Sequence, residues 1–183
     1  MRHRRLMLKA VLAVPALLWL PRGFARPTPG CGDDEPTASQ TAGPFYTPSA
    51  PAKADFRADD PAGRPVDLDL HVIDTACAPL AGAIVELWHA DSRGHYDNEG
   101  FRLRGHLRTD AHGAVAFRAV MPGSYPGRTR HYHVRVLREG KRLLTTQLYF
   151  PGEPGNDGDG LFEKELLLDV SGAKARYALV VAA

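Results

Sequence analysis

A chain of 183 residues with 44% hydrophobic side chains suffices for one domain with a sizeable core. Its formal charge of +2 misleads, because five of the 23 basic residues (Arg2, Arg4, Arg5, Lys9 and Arg22) and no acid fall in the first 25 positions. The remainder carries 18 basic against 21 acidic residues, a balance of −3, without the dense basic surface that nucleic-acid binding requires.

Residues 1–25 have a basic start, an apolar run from Ala10 to Leu20, and small residues at Gly23 and Ala25. This is the layout of a secretory signal cut after Ala25. The run is shorter than the roughly 20 residues that span a bilayer, so no permanent membrane span is expected. His3-Arg4-Arg5-Leu6-Met7-Leu8-Lys9 resembles the twin-arginine motif, which exports folded proteins to the periplasm or beyond. An ordinary signal with adjacent arginines is the alternative. In an oxidising compartment Cys31 and Cys77 are most simply a disulfide tying an arm to the core; without export they would be free thiols.

Residues 26–65 are rich in Pro, Gly, Asp and Ala and lack periodicity, which predicts an extended arm. From Val66 the pattern becomes all-β. VDLDLHVID alternates with period two, and AGAIVELWHA, FRLRGHLRT and AVAFRAV follow as further strands between turns. HYHVRVLR and RLLTTQLYF flank a tight REGK connection, a hairpin. LFEKELLLDV reads as a short helix or a strand, and ARYALVV as a closing strand. The expected architecture is an antiparallel β-sandwich core over residues 66–183.

The chemistry concentrates in GSYPGRTRHYHVRV, Gly123 to Val136. On a strand, His131, His133 and Arg135 share one face, and Tyr132, Val134 and Val136 share the other. Two imidazoles roughly 7 Å apart at Cα can bind one metal ion, yet an ordinary half-buried strand explains the pattern equally well. Further donors have two sources. His89, His95, His106 or His112 would make a zinc or copper site. Tyr96 and Tyr125 would instead suit a hard trivalent ion, since a phenol ionises only beside a strongly acidic cation.

VELWHADSRGHYDN, MPGSYPGRTRHYHVRV and TTQLYFPGEPGNDG, with SQTAGPFYTPSAP in the arm, resemble the intradiol ring-cleavage dioxygenases over about Ser39 to Phe162. The resemblance implies a non-haem Fe(III) held by Tyr96, Tyr125, His131 and His133, with water or hydroxide as a fifth donor. Tyr125 and His133 would be axial, Tyr96 and His131 equatorial. It implies that Arg128 faces the substrate ring and that Gln147 belongs to the same pocket. Tyr125 would take a catalytic part by leaving the metal as a base. The implied reaction opens a catechol between its two hydroxyls with O2, giving a cis,cis-muconate-type diacid.

Two departures bear on substrate. The chain shows no counterpart of the helical N-terminal domain of the catechol-specific members, so their dimer interface is not expected and any homo-oligomer stays open. Gly127 stands where protocatechuate enzymes carry a tryptophan. A second reading is a non-enzymatic transthyretin-like or carboxypeptidase-regulatory-like binding module, because PLAGAIVELW, TDAHGAVAF and MPGSY suit such sandwiches too. Only the Tyr/Tyr/His/His set separates the two.

Overall fold

The structure, a computed structural model, describes residues 35–182; the export segment and Cys31 lie outside the described residues. Among the described residues eight strands form: β1 Pro65–Asp74, β2 Ile84–Trp88, β3 Arg104–Arg108, β4 Ala114–Val120, β5 His131–Arg138, β6 Lys141–Tyr149, β7 Asp169–Ser171 and β8 Lys174–Val181. They make two four-stranded sheets, ordered β4-β1-β8-β7 and β3-β2-β5-β6. The second sheet is antiparallel throughout, as expected. In the first, β1 and β8 run parallel over Asp67–Asp74. Strands so far apart in sequence have ample chain for the crossover that parallel pairing needs, and local periodicity does not report it.

The two sheets pack face to face because each offers an alternating apolar set. Leu68, Leu70, Val72, Phe117 and Leu179 meet Val85, Leu87, Tyr132, Val134 and Leu148 in one core. The β5–β6 hairpin turns at Glu139 and Gly140, both at positive φ (50° and 76°), the twist that a two-residue hairpin favours. LFEKELLLDV splits into a 3-10 turn at Lys164–Leu166 and the short β7.

The described arm wraps the sandwich. Gln40 N–H donates to the Thr145 carbonyl, Lys53 N–H to His106, and Phe56 N–H to Arg118. Cys77 is disulfide-bonded. The arm has a direct consequence for β5. Its histidine face would be open on a bare sheet, yet His131 and His133 are only 2% and 1% exposed. An ordinary polar strand face is therefore not what these residues make.

Candidate active site

The site gathers at one end of the β3-β2-β5-β6 sheet, where β3 and β5 begin and β2 and β6 end. Register sets His133 between Trp88 and Gln147, and His131 beside Tyr149. The His133 ring lies flat on Trp88, centroids 4.9 Å apart at an interplanar angle of 5°. His131 Nδ1 donates to the Thr129 carbonyl at 2.7 Å. A carbonyl only accepts, so the proton sits on Nδ1 and Nε2 keeps its lone pair. That Nε2 stands 3.2 Å from His133 Nε2 and 3.4 Å from the Tyr96 hydroxyl. Tyr125 closes the group, its ring 5.8 Å from His131 and 5.9 Å from Tyr96.

Two loops carry the tyrosines, and glycines let them touch. A Cβ on Gly123 would lie 2.4 Å from Gly94 N, and one on Gly94 2.5 Å from the Ser124 carbonyl oxygen. No larger residue fits this crossing. Tyr125 is held in a tight turn by paired backbone bonds with Arg128. Phe45 of the arm stacks on Tyr96 at 4.6 Å. Arg104, 1% exposed, donates to the carbonyls of Phe45 and Asp97 and to Thr47 Oγ1, fastening arm and loop together.

Arg128 and Gln147 are brought to the same place. Arg128 Nη2 donates to Gln147 Oε1, and Gln147 Nε2 donates to the Thr41 carbonyl. Arg128 Nε meets the Asp159 carboxylate at 3.0 and 3.1 Å. At Gly127, φ is +75° and an added Cβ would meet nothing within 4 Å, so the wall that a bulky residue would build there is open. The other histidines go elsewhere. His89 donates from Nδ1 to Ala90 and packs between Phe56 and Tyr132; His106 Nδ1 donates to the Ala50 carbonyl. The His95 side chain is 75% exposed beside Asp91, and His112 belongs to the Asp110 turn.

Burial, followed by the Arg128 charge, lowers His131 to about 4, and burial followed by His131 holds His133 well below the usual range. Both imidazoles are thus neutral donors at pH 7. Burial, with Tyr125 beside it, raises the Tyr96 phenol, which stays protonated unless a strong cation takes its oxygen. Among the described residues no three His, Cys, Asp or Glu side chains converge, so a histidine-built zinc or copper site is not formed. The His131 Nε2 lone pair and the neighbouring His133 imidazole, meeting two phenols, fit a hard trivalent ion instead. Fe(III) suits this donor set.

Sequence reasoning missed Asp159, Phe45, Arg104 and the Gly94–Gly123 crossing. Nothing in GNDGDG distinguishes Asp159 from Asp157, and the glycines read only as turn residues.

The class defined by this fold and site agrees with comparison to known proteins. A family model described as Dioxygenase matches residues 41–162. Chlorocatechol 1,2-dioxygenase of Rhodococcus opacus is 30% identical over 168 residues, covering 74% of this chain and 65% of that protein. Catechol 1,2-dioxygenase 1 of Acinetobacter lwoffii is 34% identical, over 61% of this chain and 45% of its own length. The chain thus spans about half to two thirds of these curated relatives. The dioxygenase domain of a dioxygenase and carbohydrate-binding fusion from Streptomyces sp. SirexAA-E superposes with a TM-score of 0.76 at 40% identity. That match covers 81% of this chain and 99% of the domain. The chain belongs to the intradiol ring-cleavage dioxygenase family.

Proposed function

We propose that the chain is an exported, Fe(III)-dependent intradiol dioxygenase that opens a catechol between its hydroxyls with O2 to a cis,cis-muconate-type diacid. The observation that carries this is the meeting of His131 Nε2 with His133 Nε2 and the Tyr96 hydroxyl, at 3.2 and 3.4 Å. Tyr96, Tyr125, His131 and His133 would hold the ion. Bound there, Fe(III) would act as a Lewis acid and template, ionising a chelated catechol and drawing electron density that opens its ring to O2.

The chain's own groups do the rest. The Thr129 carbonyl keeps the His131 proton on Nδ1, so Nε2 always faces inward. Trp88 fixes the plane of His133. Tyr125, a phenolate only while it holds the ion, would take back one proton from the catechol on leaving it, and Arg128, always cationic, would face the charge that builds on the ring. The arm at Thr41 and Gly43 covers the sheet and excludes water; an added Cβ on Gly43 would stand 3.5 Å from His133 Cε1.

Oxygen uptake with catechol, protocatechuate and hydroxyquinol, with the product identified, tests the reading. A diacid supports it; a yellow semialdehyde would mean cleavage outside the diol. The export part has its own test: Arg4→Lys with Arg5→Lys blocks secretion if the twin-arginine route is used. Among the described residues no helix is long and apolar enough to cross a membrane.

A further inference from the structure

Asp159 lies in the loop between β6 and β7, and no part of the chemistry above uses it. Its side chain is 1% exposed. Oδ1 accepts from Arg128 Nε at 3.1 Å and from Leu161 N–H at 2.9 Å. Oδ2 accepts from Arg128 Nε at 3.0 Å and from Thr129 N–H at 2.9 Å. Burial opposes the charge, but the Leu161 and Thr129 amides and Arg128 outweigh it and hold the carboxyl below its ordinary range. A buried carboxylate with this many donors is well satisfied.

Both partners lead to the site. Thr129 donates its N–H to Asp159, and its carbonyl, in the next peptide unit, accepts the His131 Nδ1 proton at 2.7 Å. The guanidinium is fixed at Nε by Asp159 and at Nη2 by Gln147. Among the described residues no protein acceptor takes Arg128 Nη1. The fork is therefore held by two of its corners with the third left for a ligand. An arginine side chain has several rotatable bonds, and clamping it beforehand removes the entropy of ordering it on the substrate.

We propose that Asp159 is a positioning residue for ring cleavage, which orients Arg128 so that Nη1 meets the substrate and anchors the backbone at Thr129, the residue whose carbonyl holds the His131 proton. This rests on the ring-cleaving reading. The carboxylate touches no reacting atom; it acts through Arg128 and Thr129. It also limits the field at the ring, since the Arg128 charge is partly matched by its own partner. Orientation of one donor then matters more than charge alone. Lysine cannot replace such an arginine, because it lacks the Nε–H that Asp159 grips.

The test uses the iron-loaded chain with whichever of catechol, protocatechuate and hydroxyquinol it cleaves fastest, and reads kcat, KM, iron content and the visible phenolate-to-iron band. Asp159→Asn should lower kcat by about tenfold or more with KM changed less than about threefold, while iron content and band stay as in wild type. Arg128→Lys should lose about as much, and the double variant should lie within about threefold of Arg128→Lys alone. Either single variant keeping kcat within about twofold of wild type would overturn the proposal, as would losses that multiply in the double. Loss of iron and band together with activity in a folded Asp159→Asn would make Asp159 mere scaffold and overturn it too. Should that variant not fold, Arg128→Lys decides by the same limits. A wild type that binds iron but cleaves none of catechol, protocatechuate and hydroxyquinol removes the ring-cleaving reading and this inference with it.

Discussion

His131 and His133 sit two residues apart on β5 and turn their Nε2 atoms to within 3.2 Å of each other. With the His131 proton held at Nδ1 by Thr129, one of those nitrogens offers a bare lone pair to a buried space. With the Tyr96 hydroxyl at 3.4 Å from the same nitrogen, this is a donor set that a cation can share.

Tyr96 is the first residue to alter. In Tyr96→Phe the ring still stacks on Phe45, so the fold should persist, but an oxygen donor is gone. The visible phenolate-to-iron band should weaken or shift. Iron affinity should fall by about 100-fold or more, since even partners that only support a ligand are worth 10–100-fold. Absorption and iron content of the purified variant check this; an unchanged spectrum would remove Tyr96 from the site.

The Gly94–Gly123 crossing makes a prediction about loops. Gly123→Ala places a methyl 2.4 Å from Gly94 N, so the two loops must part. Stability should drop by about 1–3 kcal/mol. The Tyr96 and Tyr125 rings, 5.9 Å apart, should separate as well. Denaturant unfolding measures the first effect and reduced iron binding the second.

Tyr132, between the two histidines, is the contrasting case. It is buried on the opposite face, and its hydroxyl donates to the Val120 carbonyl at 2.8 Å. Tyr132→Phe leaves that carbonyl unpaired and should cost about 1–2 kcal/mol. The visible band and kcat should not change, which separates the core tyrosine from the two at the site.

His89 predicts a pH dependence. Burial pushes it down to about 4, the bond to Ala90 notwithstanding, and its Nε2 has no partner. The unfolded chain titrates near 6.5, so between 6.5 and 4 the unfolded state holds the extra proton. This contribution is complete above about 6.5 and is lost as pH falls toward 4, about 3 kcal/mol in all. Urea unfolding of the iron-free protein at several pH values shows it. His131 and His133 add slopes of the same sign, so the His89 share is the slope that disappears in His89→Leu.

Much of this is legible in the sequence. Period-two alternation located the strands, and the same alternation put His131 and His133 together and Tyr132 apart. The four donors and Arg128 and Gln147 came from a family resemblance, and the structure brings all six to one end of one sheet. What remained hidden depends on contacts between distant segments. The parallel β1–β8 pairing joins strands more than a hundred residues apart. The path of the arm, the fully buried Arg104 and the choice of Asp159 among several loop acids also depend on tertiary placement, which no local pattern records.

Whether Tyr96, Tyr125, His131 and His133 hold Fe(III) is decided by an anaerobic titration of the iron-free protein with ferric ion, followed by visible absorption. A red to burgundy phenolate-to-iron band should grow to saturation at one ion per chain and be diminished in Tyr96→Phe. Iron binding without any visible band, or a band of full strength in that variant, would contradict that ligand set.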